Sequence, residues 1–526
     1  MKTRKNLTES NKDYAVFLPS ISGFYNTFIS KQQHEEYVPN DRIPAEFENG
    51  IEGCNFLNKD QAYFDYKWSL YSAGHAQLDI AKSDIEESMV QKRDKSKTWC
   101  LADSGGFQIG KGIIKFDWEN FYEVPGDRNY AGNADAVRGK ILNWLEHTAD
   151  YALVLDVPSW AADPVNSERT KMSSYAETLK ATLYNNAWFV ANRQGNVKFL
   201  NALHGMDWAS SSEWYEEVKY FPFEGWALGS NNMRNIYLAM RRLIVLRDDK
   251  LLEKGKYDVV HFLGTSRLDW ACMLTTIQRC LREYVNEDML VTFDCASPFI
   301  ATAHGQMYTQ HVHRNNRFSY IMDKAVDNKI LSGSTIPCPW TSPIAERMTM
   351  GDICYYKPGD LNKLGNEPKT SWDSFSYFLM MAHNLYQHIE SVQRANILAD
   401  TASSMYKPKI TEWRKVKATS NEDEFSPWVP RNLIYFNEVC KDIFKAENPM
   451  TLIENAEGLF ADISDKRTRR SNPTESFPIG FIRMVTSPSR PSSKQSNHTG
   501  PHAFSIASRK SRAELHGCAS KQLISC

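Results

Sequence analysis

Short apolar runs alternate with helix-like segments along most of the first 300 residues. The segments between the runs, at residues 134–149, 173–192, 233–247 and 268–284, carry helical periodicity. Strands that alternate with helices predict βαβ units and a parallel sheet. Runs that are apolar on both sides and end at turn residues are typical of strands buried in such a sheet. They cover residues 14–21, 98–102, 151–155, 197–203, 225–228, 259–263 and 289–293.

The residues that follow these runs distinguish a closed barrel from an open sheet. In a TIM-type barrel all strands end at one face, where the residues that do chemistry collect. An open doubly wound sheet would instead need a glycine-rich phosphate-binding turn after its first strand, and the sequence has none there. We therefore predict an α/β fold built on a TIM-type (β/α)8 barrel. The residues at the run ends are Asp103, Asp156, His204, Gly229, Gly264 and Asp294.

The remaining sequence divides into further parts. Residues 298–373 are rich in turns and polar groups, and we interpret them as an insertion in a barrel domain that covers residues 1–400. A long amphipathic helix over residues 374–399 closes that domain. Residues 401–464 are assigned to a helical extension. Residues 465–526 have few large apolar side chains and many Ser, Lys and Arg, which predicts a disordered basic tail that is either solvated or in contact with phosphates.

Composition and charge restrict the class of protein. The 526 residues include 62 Lys and Arg against 63 Asp and Glu, for a net charge of -1. A globally basic nucleic-acid binder is thereby excluded, and phosphate contacts would have to come from local patches. The ten cysteines form no CxxC pair, which disfavours a disulfide framework. The sequence has no apolar leader and no stretch long enough for a membrane span, so we expect a soluble, cytoplasmic protein.

The strongest chemical motif is the hexapeptide from Asp103 to Gln108, which reads Asp-Ser-Gly-Gly-Phe-Gln. A carboxylate at a strand end, followed by Gly105 and Gly106, lets the backbone approach a flat ligand closely. Ser104 and Gln108 add hydrogen-bonding groups, and Phe107 offers a surface for packing or stacking. The alternative is a Gly-Gly turn whose Asp only caps the next segment.

Two further aspartates complete the candidate chemistry. Asp294 follows the run at residues 289–293. Enzymes that cleave glycosidic bonds use two carboxylates that face each other, and Asp294 and Asp103 could form such a pair across a barrel mouth. Asp156 could accept two hydrogen bonds from a guanine-like ring edge. For both residues a structural cap remains the alternative.

Together these residues resemble the tRNA-guanine transglycosylase superfamily. The resemblance rests on the hexapeptide, on Asp156 and on the Phe-Asp-Cys string at 293–295, and it extends over about residues 90–300. It implies a TIM-type barrel with a zinc-binding insertion. It also implies that Asp294 attacks C1′ of a guanosine nucleotide to form a covalent glycosyl-enzyme, and that Asp103 transfers the proton. Asp156 would read the entering 7-deazaguanine. Base-pocket positions are implied for Ser104, His204, Gly229, Ser230 and Gly264.

Three departures from the family pattern refine this expectation. His204 replaces a glutamine, residues 297–304 lack the arginine that holds the anticodon loop, and the zinc motif is reduced to the candidate ligands Cys338, Cys354 and His383. The chemistry needs no cofactor, and the incomplete motif puts even a structural zinc in question.

The pattern most resembles the branch of bacterial and bacteriophage DNA-guanine transglycosylases. We therefore expect exchange of guanine in DNA for a 7-deazaguanine of the preQ0 or preQ1 type, on a flipped or single-stranded base. Arg314, Arg317 and Lys324 are candidates for holding the displaced strand, with solvation as the alternative. A homodimer is possible. The competing functions are exchange on tRNA, a catalytically silent nucleic-acid-binding paralogue, and an unrelated barrel glycosidase.

Overall fold

Eight parallel strands form one sheet in the computed structural model, which describes residues 4–11, 13–122, 133–314, 317–355, 370–405 and 429–464. Their spatial order is β1-β8-β7-β6-β5-β4-β3-β2. Just past β1, Ser20 forms a parallel bridge with Leu70 of β2, so the sheet is nearly closed into a barrel. The predicted parallel α/β sheet is confirmed, and its near closure is consistent with a TIM-type barrel. The strands are β1 (Val16–Pro19), β2 (Trp68–Ser72), β3 (Trp99–Asp103), β4 (Tyr151–Leu153), β5 (Lys198–Leu203), β6 (Gly225–Leu228), β7 (Val259–Phe262) and β8 (Leu290–Cys295).

The strands are buried on both faces, which explains why they appear in the sequence as short apolar runs. Along β3, Leu101 belongs to a small apolar cluster shared by the strands, whereas Cys100 and Ala102 belong to the large cluster that also includes the helices. This alternation follows from the two-residue period of a strand. The small cluster consists of Val16, Leu18, Leu70, Leu101, Leu153, Leu200, Ala227 and Val259.

One main helix follows each strand of the sheet. These helices are α1 (Gly23–His34), α2 (Ile80–Glu86), α3 (Asn133–Thr148), α4 (Tyr175–Asn192), α5 (Trp208–Val218), α6 (Ile236–Asp248), α7 (Leu268–Tyr284) and α8 (Ser374–Met405). Polar side chains at the N-termini of five of them, α1, α2, α4, α5 and α6, satisfy free backbone N–H groups, as Ser22 does for α1 and Asp207 does for α5. Shorter helices cover Leu7–Ser10, Ser88–Gln91, Gly106–Gly110, Pro164–Thr170, Ser297–Ala303 and Met350–Ile353.

Three C-terminal helices pack on the outside of the barrel. They are α9 (Arg431–Lys445), α10 (Pro449–Asn455) and α11 (Glu457–Ser464). The first packs against α7, and the other two contact α6. None of the helices in the described ranges is long and apolar enough to cross a membrane. The predicted basic tail at 465–526 lies outside the described residues.

The region after β8 contains regular structure that its turn-rich sequence did not indicate. Strands β9 (Gln306–Arg314) and β10 (Arg317–Lys324) form an antiparallel hairpin. Only part of the hairpin surface is buried, so its strands mix polar and apolar residues and lack a continuous apolar run. Arg317 donates to the backbone oxygen of Ile463 in α11, 3.1 Å away, so this candidate for strand binding has a structural contact.

Candidate active site

Three carboxylates lie at the C-terminal ends of the barrel strands. Asp103 is the last residue of β3, Asp294 lies near the end of β8, and Asp156 follows β4. The negative charges of Asp156 and Asp294 both raise the pKa of Asp103, so the three groups act on one another electrostatically. The structure thus brings the three predicted aspartates together at one mouth of the barrel, where TIM-type enzymes carry their catalytic residues.

Donors surround the Asp294 carboxylate. The Ser20 hydroxyl donates to Oδ2 at 2.5 Å, and the Gly264 backbone N–H donates to Oδ1 at 2.7 Å. Nε2 of the buried His261 lies 3.3 Å from Oδ1. Burial raises the pKa of Asp294, but the interactions with His261, Ser20 and Gly264 outweigh burial and hold the pKa below its usual value. Asp294 is therefore ionised and aimed into the mouth.

Gly264 and Thr292 position two of the groups that contact Asp294. Gly264 has a φ of +70°, a left-handed conformation that glycine adopts without strain and that directs its N–H toward the carboxylate. On the neighbouring strand pair, Thr292 Oγ1 lies 2.8 Å from His261 Nδ1. A hydroxyl that donates to Nδ1 leaves the proton on Nε2, which then faces Asp294.

The environment of Asp103 raises its pKa, whereas that of Asp294 lowers it. Asp103 Oδ2 accepts one hydrogen bond from the Ser72 hydroxyl at 2.6 Å. Burial raises the pKa of Asp103 to about 6, and the charges of Asp156 and Asp294 add to this effect, whereas the hydrogen bonds from Ser72 and Gly105 offset it only in part. Two carboxylates at one mouth therefore differ in their affinity for a proton, which is the arrangement of a general acid beside a nucleophile.

A chain of polar contacts fixes the third carboxylate. His204 Nε2 lies 2.7 Å from Asp156 Oδ2, and His204 Nδ1 lies 2.9 Å from Ser230 Oγ. The Ser230 hydroxyl continues to Ser159 Oγ at 3.0 Å. Gly229 packs on the imidazole, since a Cβ there would lie 2.7 Å from His204 Cε1. His204 therefore binds one oxygen of Asp156 and orients the carboxylate.

The turn after β3 lies against the other oxygen of Asp156. A Cβ on Gly106 would lie 2.5 Å from Asp156 Oδ1, so the backbone of this turn packs directly against the carboxylate. Gly105 has a φ of +90° and makes the turn possible. Phe107 remains 40% exposed at the edge of the mouth.

Two residues of the hexapeptide have structural contacts in addition to their predicted place at the site. The buried Ser104 hydroxyl donates to the Val154 backbone oxygen at 2.8 Å and ties β3 to the segment after β4. Gln108 is also buried, with its Nε2 3.2 Å from His75 Nε2. Their side chains hold the turn in place, and the glycines and Phe107 face the mouth region.

Sequence reasoning missed three groups that contact the two catalytic candidates. Ser20, Ser72 and His261 all lie at or near strand ends, like the aspartates that were singled out. A signal existed for His261, because an imidazole within the apolar run at 259–263 is unusual. The two serines carried no such signal.

The three zinc candidates do not form a ligand set. Both ring nitrogens of the buried His383 are engaged, with Nδ1 2.8 Å from Ser342 Oγ and Nε2 2.8 Å from the Tyr308 backbone oxygen. Burial lowers the pKa of His383 to about 4, so the ring is neutral and its single acceptor is used by Ser342. Cys354 Sγ contacts the Val326 oxygen at 3.4 Å. Within the described ranges, no group of three or more His, Cys, Asp or Glu residues could hold a metal ion, and Cys338 has no partner ligands there. These residues do not fit a structural zinc.

Comparison with known proteins adds no family assignment. No protein-family model matches the chain, and no curated protein matches it.

Proposed function

We propose that this protein exchanges guanine in DNA for a 7-deazaguanine base through a covalent glycosyl intermediate on Asp294. The observation that carries the proposal is the pair of carboxylates at one barrel mouth with opposite pKa shifts. A third carboxylate, Asp156, lies beside them, with one oxygen in contact with His204 and the other against the Gly106 backbone. Together they supply a nucleophile, a proton carrier and a group that reads a base.

In the first half of the proposed reaction, an Asp294 oxygen attacks C1′ of the target nucleotide. The bond from C1′ to the purine nitrogen breaks, and its electron pair goes to the leaving guanine. Asp103, whose raised pKa increases the fraction that carries a proton, gives a proton to that ring. The products of this half-reaction are an ester between Asp294 and the sugar and a neutral free guanine.

The second half runs in reverse with the entering base. Asp103, now ionised, accepts the proton from the ring nitrogen of the 7-deazaguanine, and that nitrogen attacks C1′. The ester bond breaks and returns its electron pair to Asp294. Because one glycosidic bond replaces another, the exchange needs no nucleotide triphosphate. His261 does not touch the sugar in this scheme and acts as a positioning residue for Asp294.

Base recognition is assigned to Asp156 and its neighbours. A purine ring edge with an N–H and an exocyclic amine would donate two hydrogen bonds to this carboxylate. His204 Nε2 lies 2.7 Å from Oδ2 and the Gly106 backbone packs against Oδ1, so a base would use the lone pairs that these contacts leave on the two oxygens. A guanine-like base fits this donor requirement, whereas adenine presents an acceptor at the corresponding ring nitrogen.

The choice of DNA rests on the segment directly after the nucleophile. Residues 297–304 contain no arginine, and Ser297–Ala303 forms a short helix without a charged side chain. The resemblance to the transglycosylases would place an anticodon-holding arginine there. Exchange on tRNA is the second candidate, because the three carboxylates would serve either polymer.

The test compares an Asp294→Asn variant with an Asp288→Asn control. Asp288 lies just before β8, at the opposite end of the strand that carries Asp294, and its side chain is 56% exposed. Purified protein is incubated with single-stranded or duplex DNA, or with tRNA, containing labelled guanine, plus 7-deazaguanine bases. Released guanine and the digested nucleosides are identified by mass.

We expect the wild type and Asp288→Asn to release guanine from DNA and to form a denaturation-resistant protein–DNA adduct. Asp294→Asn should show neither, with a native circular dichroism spectrum. Exchange only on tRNA would select the second candidate. Binding without exchange on either polymer would select the silent paralogue, and full turnover by Asp294→Asn would remove Asp294 as the nucleophile.

A further inference from the structure

An aromatic pair with a lysine over it lies on the rim of the mouth. The ring centroids of Phe107 and Trp160 are 5.3 Å apart, with an angle of 57° between the planes. Lys111 Nζ lies 5.0 Å from the Trp160 centroid and 6.0 Å from the Phe107 centroid. We refer to Phe107, Lys111 and Trp160 as the rim platform. No step of the proposed exchange uses Lys111 or Trp160.

The rim platform adjoins the base-reading residues. Phe107 follows Gly106, which packs against Asp156, and Trp160 follows Ser159, whose hydroxyl lies 3.0 Å from Ser230 Oγ. The Trp160 ring is held against the turn after β3, since a Cβ on Gly110 would lie 2.6 Å from it. A strand whose guanine reaches Asp156 would therefore have the platform beside it.

Exposed apolar side chains extend the platform along the same rim. They lie in the segments that follow β3, β4 and β5, and exposed apolar groups beside a site are typical of a binding surface. Arg169 adds a second cation next to this loop, because a Cβ on Gly112 would lie 2.6 Å from its Cβ. The three side chains are Ile113, 44% exposed, Val165, 83% exposed, and Met206, 54% exposed.

We propose that the rim platform binds the unpaired nucleotide adjacent to the guanine that is exchanged, in single-stranded DNA. Every base has a flat face that stacks on an aromatic ring, and an ammonium beside the ring matches the phosphate that follows. The combination of stacking surface and local cation fits an unpaired strand better than a duplex, whose bases are stacked on one another. This inference rests on the proposed function, because it assumes that a polynucleotide enters the mouth.

The test measures DNA binding and exchange separately in Trp160→Ala, Lys111→Ala and Trp160→Phe. Binding of a fluorescent single-stranded oligodeoxynucleotide is followed by anisotropy across a salt series. Exchange kinetics give KM for the oligonucleotide and KM for the 7-deazaguanine base. Loss of one stacked base by Trp160→Ala should weaken binding about ten-fold or more. Lys111→Ala should reduce the salt slope by about one phosphate contact.

Tyr220 provides the matched control. It is 79% exposed, and Lys219 Nζ lies 5.3 Å from its ring centroid, but it precedes β6 and so belongs to the opposite end of the barrel. Tyr220→Ala should bind DNA like the wild type. Trp160→Phe keeps an aromatic face and should retain most of the affinity, which separates stacking from a folding defect.

The outcomes distinguish this inference from the proposed function. An unchanged Kd in Trp160→Ala, or an equal loss in Tyr220→Ala, would overturn the rim platform even if exchange is intact. An increase in KM for the base, with KM for the oligonucleotide unchanged, would also overturn it. A wild type that binds the oligonucleotide through Trp160 but exchanges no base would contradict the proposed function alone.

Discussion

Asp103 and Asp294 differ because of the groups that each carboxylate contacts. Asp294 has the Ser20 hydroxyl, the Gly264 N–H and the His261 ring around it, and these donors stabilise its charge. Asp103 has the Ser72 hydroxyl and the Gly105 N–H as donors, and the charges of two other carboxylates act on it. The difference in proton affinity therefore follows from donor number and charge placement, since the two side chains are chemically identical and burial raises the pKa of both.

Replacement of Asp103 by asparagine should stabilise the protein while slowing exchange. The pKa of Asp103 is raised to about 6 in the folded state, mainly by burial, so the native state disfavours the ionised form. The favourable contribution of the protonated carboxyl is present below its unfolded pKa and is lost as the pH rises through about 6. A neutral Asn avoids that loss and can still accept from Ser72.

We expect Asp103→Asn to unfold at a higher urea concentration than the wild type at pH 8, with a gain in the free energy of unfolding of about 2–3 kcal/mol. The gain should vanish near pH 4, where the wild-type carboxyl is protonated. Exchange should fall by about 10²–10⁴-fold, since each half-reaction moves a proton at the base. Equal stability of the two proteins at pH 8 would show that Asp103 is not destabilised in the native state.

At the scale of secondary-structure elements, the turn after β3 determines the shape of the base side. Gly105 takes a left-handed conformation, and Gly106 places backbone where any side chain would meet Asp156. The helix that begins at Gly106 then carries Phe107 to the rim. A single turn thus positions the floor of the proposed base pocket and one residue of the rim platform.

The variant Gly106→Ala tests this close approach. Its Cβ would lie 2.5 Å from Asp156 Oδ1, far inside contact distance, so either the turn or the carboxylate must move. We expect KM for the 7-deazaguanine base to rise at least ten-fold, measured by base exchange, with a smaller effect on oligonucleotide binding. The matched change is Gly458→Ala in α11, where a Cβ meets no neighbour. Gly458→Ala should leave both parameters unchanged; similar kinetics for the two variants would contradict the assigned pocket.

Strands whose apolar residues form a continuous run could be predicted from the sequence, and strands that mix polar and apolar residues could not. Strands β1 and β3 to β8 were predicted because two-sided burial produces apolar runs, and Asp103, Asp156 and Asp294 were found because each directly ends or follows one. Strand β2 was missed because the buried Ser69 and Ser72 interrupt its apolar pattern. The contacts of Ser20 and Ser72 depend on which strands are neighbours in space, and a local pattern carries no information about that pairing.

At the scale of the whole molecule, a buried ion pair joins the beginning and the end of the barrel domain. Arg42 lies between α1 and β2, and Asp373 immediately precedes α8. Arg42 Nε lies 2.8 Å from Asp373 Oδ2 and Nη2 lies 2.9 Å from Oδ1, with side chains only 2% and 1% exposed. The Arg42 guanidinium also donates to the Asp352 backbone oxygen and stacks on Tyr355, 3.9 Å from its ring centroid.

Removal of one partner should therefore destabilise the whole domain. Arg42→Ala leaves the Asp373 carboxylate buried without its cation, and we expect the free energy of unfolding to fall by about 3–5 kcal/mol in urea titrations. The double variant Arg42→Met with Asp373→Leu removes both charges and should recover part of this loss, since it also removes the hydrogen bond from the Ser376 backbone N–H to Asp373 Oδ1. The control is Arg279→Ala: Arg279 pairs with Asp13 and Asp400, but its side chain is 35% exposed, so its loss should cost about 1 kcal/mol.

If Arg42→Ala and Arg279→Ala unfold at the same urea concentration, or if the double variant is no more stable than Arg42→Ala, the pair does not join the two ends energetically. Because Arg42 contacts residues between 352 and 376, and neither Arg42 nor Asp373 is among the groups that shift the pKa of Asp103 or Asp294, the folded double variant should retain the exchange rate of the wild type.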